Sequence, residues 1–314
     1  MTGPLAPLTY PARTFRRLAA PDPGADFERP ADYGLTAEPF TVVTGDGLRI
    51  AGWTFVPPEA WGVVIVCHSR STGKSRTLKH TRLLYDQGLA VVGFDFRGCG
   101  ESEASRRRLR GSLWDPLADL EAVSAQVRGR FEDTPPLAGR VALLGCSFGG
   151  NMALAHLGRP SGEARHPALI LDSTPLVRWK DMLGEQLRRE RQGARWRAPR
   201  ALADRAMASA VSAWTRSPAL YRHARRSARQ QSGMALLYIV GERETMFDAR
   251  DSRRFVEDHW AGPAEIWRVP RGRHLANHVV APQEYARRVS EFLAKAYGVP
   301  LPRGEQAEAG SHGA

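Results

Sequence analysis

The chain has 314 residues, of which 42% are hydrophobic and 25% are charged. These fractions are close to the averages of globular proteins and exclude a fibrous or a wholly disordered chain. The formal net charge is +12, from 45 basic and 33 acidic residues, so an anionic substrate or partner has to be considered.

Three cysteines are too few for a disulfide framework, and no Cys-x-x-Cys or Cys/His cluster indicates zinc. No apolar run approaches the roughly 20 residues that cross a bilayer, and the first residues lack the apolar core of a signal peptide. The sequence therefore predicts a cytoplasmic protein without a transmembrane segment. No metal and no organic cofactor is expected.

The chain alternates between strand-like and helix-like patterns. Residues 1–38 are rich in proline and are predicted to form an N-terminal arm. A hairpin is predicted from residue 40 to residue 56, with Gly45-Asp46-Gly47 at its turn. Continuous β-branched or aliphatic runs, which are typical of strands buried in a parallel sheet, follow at 63–67, 90–94, 141–144, 169–171, 236–240 and 266–269.

Segments with helical spacing separate these runs, at 78–87, 113–128, 149–157, 250–259 and 285–297. This alternation favours an α/β fold with a mostly parallel central sheet and helices on both faces. Antiparallel strands are expected only at the start.

One interval breaks the alternation. Residues 173–233 have a helical composition and carry 14 basic and four acidic residues, a local net charge of +10. We predict that they form an Arg-rich helical cap inserted into a core made of residues 39–172 and 234–297. Residues 298–314 are polar and Gly-rich and are predicted to be a disordered tail.

Two motifs compete for the functional assignment. Gly145-Cys146-Ser147-Phe148-Gly149 fits Gly-x-Ser-x-Gly, a tight turn between a buried strand and a helix that exposes a serine hydroxyl. The segment 68–75 is similar to the phosphate-binding loop Gly-x-x-x-x-Gly-Lys-Ser and includes Gly73-Lys74-Ser75. Its first glycine is replaced by His68, whose side chain should impede the wrapping of backbone N–H groups around a phosphate.

Six motifs follow one another along the chain. They are the entry strands around Gly47–Trp53, Cys67-His68-Ser69 after the third strand, the loop Asp95–Ser102, the turn at Ser147, Gly241-Glu242-Arg243-Glu244, and Gly272-Arg273-His274. With these motifs in this order, the chain resembles the α/β-hydrolase superfamily from about residue 40 to residue 297, and it looks most like small bacterial serine hydrolases with a helical cap after the sixth strand. The resemblance implies the α/β-hydrolase fold and a Ser-His-acid triad.

The resemblance and the chain order assign the catalytic roles. Ser147 is the expected nucleophile and His274 the expected base, with His278 as a nearby alternative. Glu244 is the expected acid, although the family usually has aspartate there. Asp172 and Asp248 are the alternatives for the acid.

Two backbone N–H groups are expected to form the oxyanion hole. One belongs to Phe148, which follows the nucleophile, and the other to Ser69 or Arg70 in the loop after the third strand. Ser69 replaces a glycine that family members often have. His68 is expected to shape this loop, and Cys146 is expected to be a buried residue and not a second nucleophile.

These observations predict a serine hydrolase that cleaves an ester or thioester of a small-molecule acyl substrate through an acyl-enzyme. The arginines of the cap suit an anionic substrate or an acidic carrier protein, whereas nucleic acid is not expected because no recognised binding module accompanies the charge.

An acyltransferase or a peptidase would use the same residues. A P-loop-like nucleotide binder using Lys74 and a hydrolase-like binding protein without turnover are the remaining alternatives. The sequence does not specify the acyl group, the leaving group or the oligomeric state.

Overall fold

The computed structural model of the chain describes residues 28–105, 114–159, 166–190 and 198–301. The predicted N-terminal arm and C-terminal tail fall largely outside these ranges. Among the described residues, none of the helices combines the length and the hydrophobicity that crossing a bilayer requires.

Eight strands form one sheet with the order β1-β2-β4-β3-β5-β6-β7-β8. Their bounds are β1 Glu38–Val43, β2 Arg49–Phe55, β3 Gly62–Cys67, β4 Leu89–Phe94, β5 Val141–Cys146, β6 Ala168–Asp172, β7 Ala235–Gly241 and β8 Ala264–Val269. Strand β2 is antiparallel to both of its neighbours, and all pairs from β4 to β8 are parallel. Each predicted strand run is therefore found in a strand, and the antiparallel strands are confined to the start.

Nine α-helices are described besides two short 3₁₀ helices, Pro30–Tyr33 and Lys74–Thr77. They are α1 Leu78–Tyr85, α2 Pro116–Phe131, α3 Phe148–His156, α4 Trp179–Glu190, α5 Ala198–Trp214, α6 Ser217–Gln230, α7 Ala249–His259, α8 Asn277–Val280 and α9 Pro282–Tyr297. Helix α2 begins later than its pattern predicts, because Pro116 fits the first turn of a helix, where no backbone N–H is needed. Helices α4, α5 and α6 lie between β6 and β7, in the interval predicted to be a cap, and the division of the chain into domains stays a prediction.

The central strands are buried on both faces, which explains their unbroken apolar runs. Every residue of β3, β4, β5 and β6 is buried. Successive residues alternate between two apolar clusters, so that Ile65 and Leu143 pack on one face of the sheet while Val64 and Leu144 pack on the other. The helices on each face cover one of these clusters.

The carboxyl ends of the parallel strands meet at one edge of the sheet. Cys67 pairs with Gly145, and Cys146 pairs with Asp172, at the ends of β3, β5 and β6. Functional groups that follow these strands are therefore brought together at this edge, the usual place for a site in an open parallel sheet.

Candidate active site

Ser147 occupies a tight turn between β5 and α3. Its backbone has φ 51° and ψ −111°, a conformation that a residue with a side chain rarely adopts and that costs on the order of 1–3 kcal/mol. A Cβ atom at Gly149 would lie 2.2 Å from the carbonyl oxygen of Cys67, and one at Gly145 would lie 2.3 Å from the Cα of Gly150. The two glycines of the motif are thus required by the close packing of the turn.

His274 lies in the loop between β8 and α8, with its imidazole beside the serine. Its Nε2 is 3.1 Å from Ser147 Oγ, and its Nδ1 is 2.9 Å from Glu244 Oε2. We assign the Nδ1 hydrogen to the bond with the carboxylate, which leaves Nε2 to accept the serine proton. The side chain of His274 is 17% exposed, so the imidazole can be reached from solvent.

Glu244 lies in the loop after β7, and its carboxylate is held by the backbone of the two residues that follow it. Its Oε1 accepts the N–H groups of Thr245 and Met246, each at 2.8 Å. Its side chain is only 1% exposed, and these two bonds direct Oε2 toward His274. The N–H of Arg243 donates to the carbonyl of Gly272 at 2.8 Å, which ties the acid-bearing loop to the loop that carries His274.

Two of the alternatives, Asp248 for the acid and His278 for the base, make other contacts in the structure. Asp248 caps helix α7 by accepting the Arg250 N–H at 2.8 Å. His278 stacks on His80, with ring centroids 3.7 Å apart, and not on the serine. The structure therefore brings together Ser147, His274 and Glu244, the set favoured by the sequence.

The loop after β3 is shaped by His68, which is buried. Its Nε2 accepts the Phe96 N–H at 2.9 Å, so the ring hydrogen is on Nδ1 and is donated to the Ser69 carbonyl at 2.7 Å. Thr72 Oγ1 also donates to that carbonyl, at 2.9 Å. Because a peptide C=O and its N–H point in opposite directions, these bonds orient the N–H of Arg70 as well.

A small, mainly apolar cavity lies beside the nucleophile turn, between α3, α4 and α6. It is lined by Phe148, Asn151, Val177, Trp179, Ser217, Leu220, Tyr221 and Ala224. The guanidinium of Arg70 lies over the Trp179 ring, 4.6 Å from its centroid. Burial lowers the pKa of Arg70 to about 10, so this side chain stays charged at neutral pH.

Glu244 also lines a larger cavity, of about 640 Å³. Carboxylates and arginines line it together, with Asp181 and Glu185 from α4, Asp248 and Asp251 near the start of α7, and Arg253 and Arg268 among the basic residues. Neither Ser147 nor His274 belongs to its lining.

Lys74, the lysine of the phosphate-loop-like segment, is engaged in a buried ion pair. Its Nζ lies 2.6 Å from Asp95 Oδ2 and 2.6 Å from Glu101 Oε2, and it sits 4.3 Å from the centroid of the Trp53 ring. The side chain is 1% exposed. The ammonium group is thus directed into the protein, which argues against a role in binding a phosphate.

A second polar cluster, which sequence reasoning missed, surrounds Asp172 at the end of β6. His80 and His278 each place a ring nitrogen near its carboxylate, and the donor atoms of the three residues lie within 4.8 Å of one another. Both carboxylate oxygens already accept hydrogen bonds, Oδ1 from Asn277 at 2.7 Å and Oδ2 from Tyr285 at 3.0 Å. The two imidazoles are stacked with their planes only 36° apart, so they do not converge on a common point, and the cluster suits a hydrogen-bonded network better than a metal site.

The ionisation of this cluster follows from its surroundings. Burial acts to raise the pKa of the Asp172 carboxyl, but the hydrogen bond and charge of His80, together with His278 and Asn277, outweigh it and the net shift is downward. Burial, with a smaller contribution from His80, lowers the pKa of His278 to about 3. Only the position of Asp172 at the end of a buried strand was visible in the sequence, because His80 is 92 residues away.

The chain matches the family described as serine aminopeptidase, S33, over residues 58–226. It is 34% identical over 159 residues to the uncharacterized protein YfhR of Salmonella typhimurium, a match that covers 45% of this chain and 51% of that protein. It is 32% identical over 162 residues to an uncharacterized protein of Mycobacterium tuberculosis, covering 51% of each. The chain thus spans about half the length of the curated relatives it matches.

Solved structures share the fold at low sequence identity. An esterase of Pyrococcus furiosus superposes with a TM-score of 0.66 at 20% identity, covering 88% of this chain and 96% of the esterase. An α/β hydrolase of Penicillium superposes with a TM-score of 0.61 at 19% identity, covering 84% of this chain and 100% of that hydrolase. An esterase of Exiguobacterium antarcticum superposes with a TM-score of 0.57 at 17% identity, covering 81% and 98%. The expected α/β-hydrolase fold is therefore confirmed.

Proposed function

The chain belongs to the serine aminopeptidase S33 family of α/β hydrolases, and from this premise we propose that it is a serine hydrolase that cleaves an ester or thioester through an acyl-enzyme. That it is a hydrolase of the α/β type follows from the family and the fold. The serine nucleophile and the class of bond cleaved are the proposal. The observation that carries it is the continuous chain of contacts from Ser147 Oγ through His274 to Glu244.

Each member of that chain has a defined role in the proposed reaction. Ser147 Oγ attacks the acyl carbonyl while His274 Nε2 accepts its proton, and the imidazolium formed is stabilised by Glu244. His274 then donates the proton to the leaving alcohol or thiol. A water molecule, activated by the same imidazole, hydrolyses the acyl-enzyme and regenerates the serine.

The developing oxyanion needs donors that are already in place. Phe148 is the first residue of α3, where the backbone N–H groups have no intrahelical acceptor, so its N–H is suited to this role. Ser69 or Arg70 supplies the second N–H in our proposal, from the loop that His68 orients. The apolar cavity beside Phe148 has a volume of only about 20 Å³, so we propose that its side chains contact part of the acyl group and do not enclose it.

An anionic substrate or an acidic carrier protein is part of the proposal. It is supported by the net charge of +10 over residues 173–233 and by the exposed arginines 222, 225, 226 and 229 of α6. Positive charge around a site raises the local concentration of anions and the rate at which they associate. A peptidase is the second candidate, and it is favoured by the description of the family.

A substrate panel separates these possibilities. Purified protein would be assayed with p-nitrophenyl acetate, butyrate and hemisuccinate, an acyl-CoA thioester and alanine p-nitroanilide, each beside Ser147→Ala. We expect turnover of the esters or the thioester, faster for the anionic than for the neutral ester of similar size, and none in the variant. Turnover of the anilide alone would establish the peptidase instead, and a folded protein that turns over none of them would contradict the proposal.

A further inference from the structure

We propose that Asp172 is a positioning residue that anchors both Ser147 and His274, an inference that rests on the proposed function. Asp172 is the last residue of β6, next to Cys146 at the end of β5. It is fully buried, and in the described structure its carboxylate forms no hydrogen bond with the serine hydroxyl or with the imidazole of His274. Its effect on the reaction would therefore act through the two residues that it holds.

The main chain of Asp172 holds the nucleophile. The N–H of Ser147 donates to the carbonyl of Asp172 at 2.9 Å. This bond fixes the tight turn at the point where the serine leaves the sheet. A side-chain substitution at position 172 leaves this carbonyl in place.

The side chain of Asp172 holds the base-bearing loop. Its Oδ1 accepts from Asn277 Nδ2 at 2.7 Å and from Ser173 Oγ at 3.0 Å. Ser173 Oγ in turn accepts the N–H of Leu275 at 3.1 Å and Asn277 Nδ2 at 3.0 Å. Leu275 is adjacent to His274, so the carboxylate fixes the chain immediately after the base.

The conformation of this loop requires such support. Ser173 has φ 52° and Leu275 has φ 57°, values in the left-handed region that residues with side chains avoid. Strained conformations of this kind persist only where surrounding contacts hold them. The hydrogen bond between Leu275 and Ser173 connects these two strained residues directly.

The second oxygen of the carboxylate is held from the opposite side. Oδ2 accepts from Tyr285 Oη of α9 at 3.0 Å and lies 3.5 Å from His80 Nε2 of α1. Two helices outside the loop thus fix the carboxylate itself. Asp172 is therefore a rigid link between the nucleophile turn, the base-bearing loop and the helices beneath the sheet edge.

Weakening this link should misplace the imidazole without altering substrate contacts. A displacement of about 1 Å at a reacting group can cost about 100-fold in rate. We expect Asp172→Asn, which keeps the shape of the side chain, to lower kcat by roughly 10- to 100-fold with little change in KM. The carboxylate supplies two accepting oxygens, whereas the amide supplies one oxygen and one NH₂ group. In one orientation of the amide its NH₂ group would face the NH₂ group of Asn277, and in the other the donors near Oδ2 would lose their acceptor.

A swapped pair tests the specific contact. Asn277→Asp alone places two carboxylates against each other and should also lower kcat. In the double variant Asp172→Asn/Asn277→Asp, the amide at 172 can donate to the carboxylate at 277 and accept from Tyr285, so we expect recovery of most of the lost kcat. Tyr285→Phe is the matched control, because it removes one bond to the same carboxylate but none to the loop, and it should reduce kcat far less than Asp172→Asn.

The measurements are kcat and KM on the best ester, corrected for the folded fraction by thermal unfolding. Equal kcat in wild type and Asp172→Asn, or a double variant with no recovery, would overturn the inference while leaving the proposed function intact. If wild type shows no turnover that depends on Ser147, the proposed function and the inference fall together. Should Asp172→Asn not fold, Asn277→Ala removes the same link, and unchanged kcat in that variant would be equally decisive against it.

Discussion

Two histidine–carboxylate pairs lie at the same edge of the sheet, beside consecutive residues of one turn. Ser147 Oγ is 3.1 Å from His274, which is bonded to Glu244 at 2.9 Å. Cys146 Sγ is 3.8 Å from His80, which lies 3.5 Å from Asp172. In both sets a potential nucleophile lies next to an imidazole, and that imidazole lies next to a carboxylate.

The two sets differ in access and in ionisation. His274 is partly exposed, whereas Cys146, His80 and Asp172 are buried. Burial, reinforced by the charge of Asp172 and by Cys67, raises the pKa of the Cys146 thiol well above its ordinary value. A protonated thiol that no substrate can reach is not a nucleophile, so residue types and order do not define a reactive site without solvent access.

The largest expected difference between the two sets is the effect of removing each nucleophile. Ser147→Ala should lower kcat/KM by at least about 10³-fold, because the acyl-enzyme can no longer form. Cys146→Ala should retain the activity of the folded wild type. Steady-state ester hydrolysis, with circular dichroism to confirm folding, measures both, and equal losses in the two variants would break the distinction.

Substitutions in the two histidine–carboxylate pairs should also affect kcat to different extents, with the larger loss in the pair beside Ser147. Glu244→Gln should lower kcat by about 10²–10⁴-fold, because an amide can hold the imidazole in the wrong tautomer and does not stabilise the imidazolium. Asp248→Asn is its matched control, since that carboxylate caps a helix. His80→Gln should have a much smaller effect than Glu244→Gln, and a comparable loss would mean that the buried pair takes a direct part in the reaction.

Thiol reactivity sharpens the comparison without reference to turnover. None of the three cysteines, all of which lie in the described part of the chain, forms a disulfide, and Cys67 and Cys146 are buried while Cys99 is partly exposed. In native protein we expect a thiol reagent to modify Cys99 alone, and in guanidinium chloride all three. Rapid modification of Cys146 in the native state, located by peptide mapping, would show that the buried set is accessible after all.

The smallest expected effect is on stability in acid. The folded-state pKa of Asp172 is lowered, so its contribution to stability is complete above the unfolded-state pKa of about 3.9 and is lost as the pH falls toward the folded-state pKa. Asp172→Asn should therefore flatten the pH dependence of the unfolding free energy below about pH 4. Urea unfolding between pH 7 and the lowest pH at which the protein stays folded measures this, and parallel curves would contradict it.

The alternation of strand and helix patterns predicts an α/β fold, and the resemblance to the α/β-hydrolase superfamily, with the chain order of the motifs, places Ser147, His274 and Glu244 near one another. Ser147 lies in a motif whose glycines are required by packing, and His274 and Glu244 follow strands that end at the same edge. The roles of these residues and of the backbone donors Phe148 and Ser69 stay predictions.

Other features depend on contacts that spacing cannot reveal. His80 and Asp172 are 92 positions apart in the chain, and only the fold brings their side chains together. Likewise, Gly73-Lys74-Ser75 matches part of a phosphate loop, and only the fold shows that Lys74 is paired with Asp95. Long-range pairs of this kind need the three-dimensional arrangement.

The central claim is that Ser147 is an activated nucleophile, and a fluorophosphonate probe tests it without knowledge of the substrate. Intact mass and peptide mapping would be recorded after incubation of wild type, Ser147→Ala, His274→Ala and Cys146→Ala. We predict one adduct per chain on Ser147 in wild type and in Cys146→Ala, and none in the other two variants. A folded wild type that forms no adduct, or an adduct that persists in Ser147→Ala, would contradict the account.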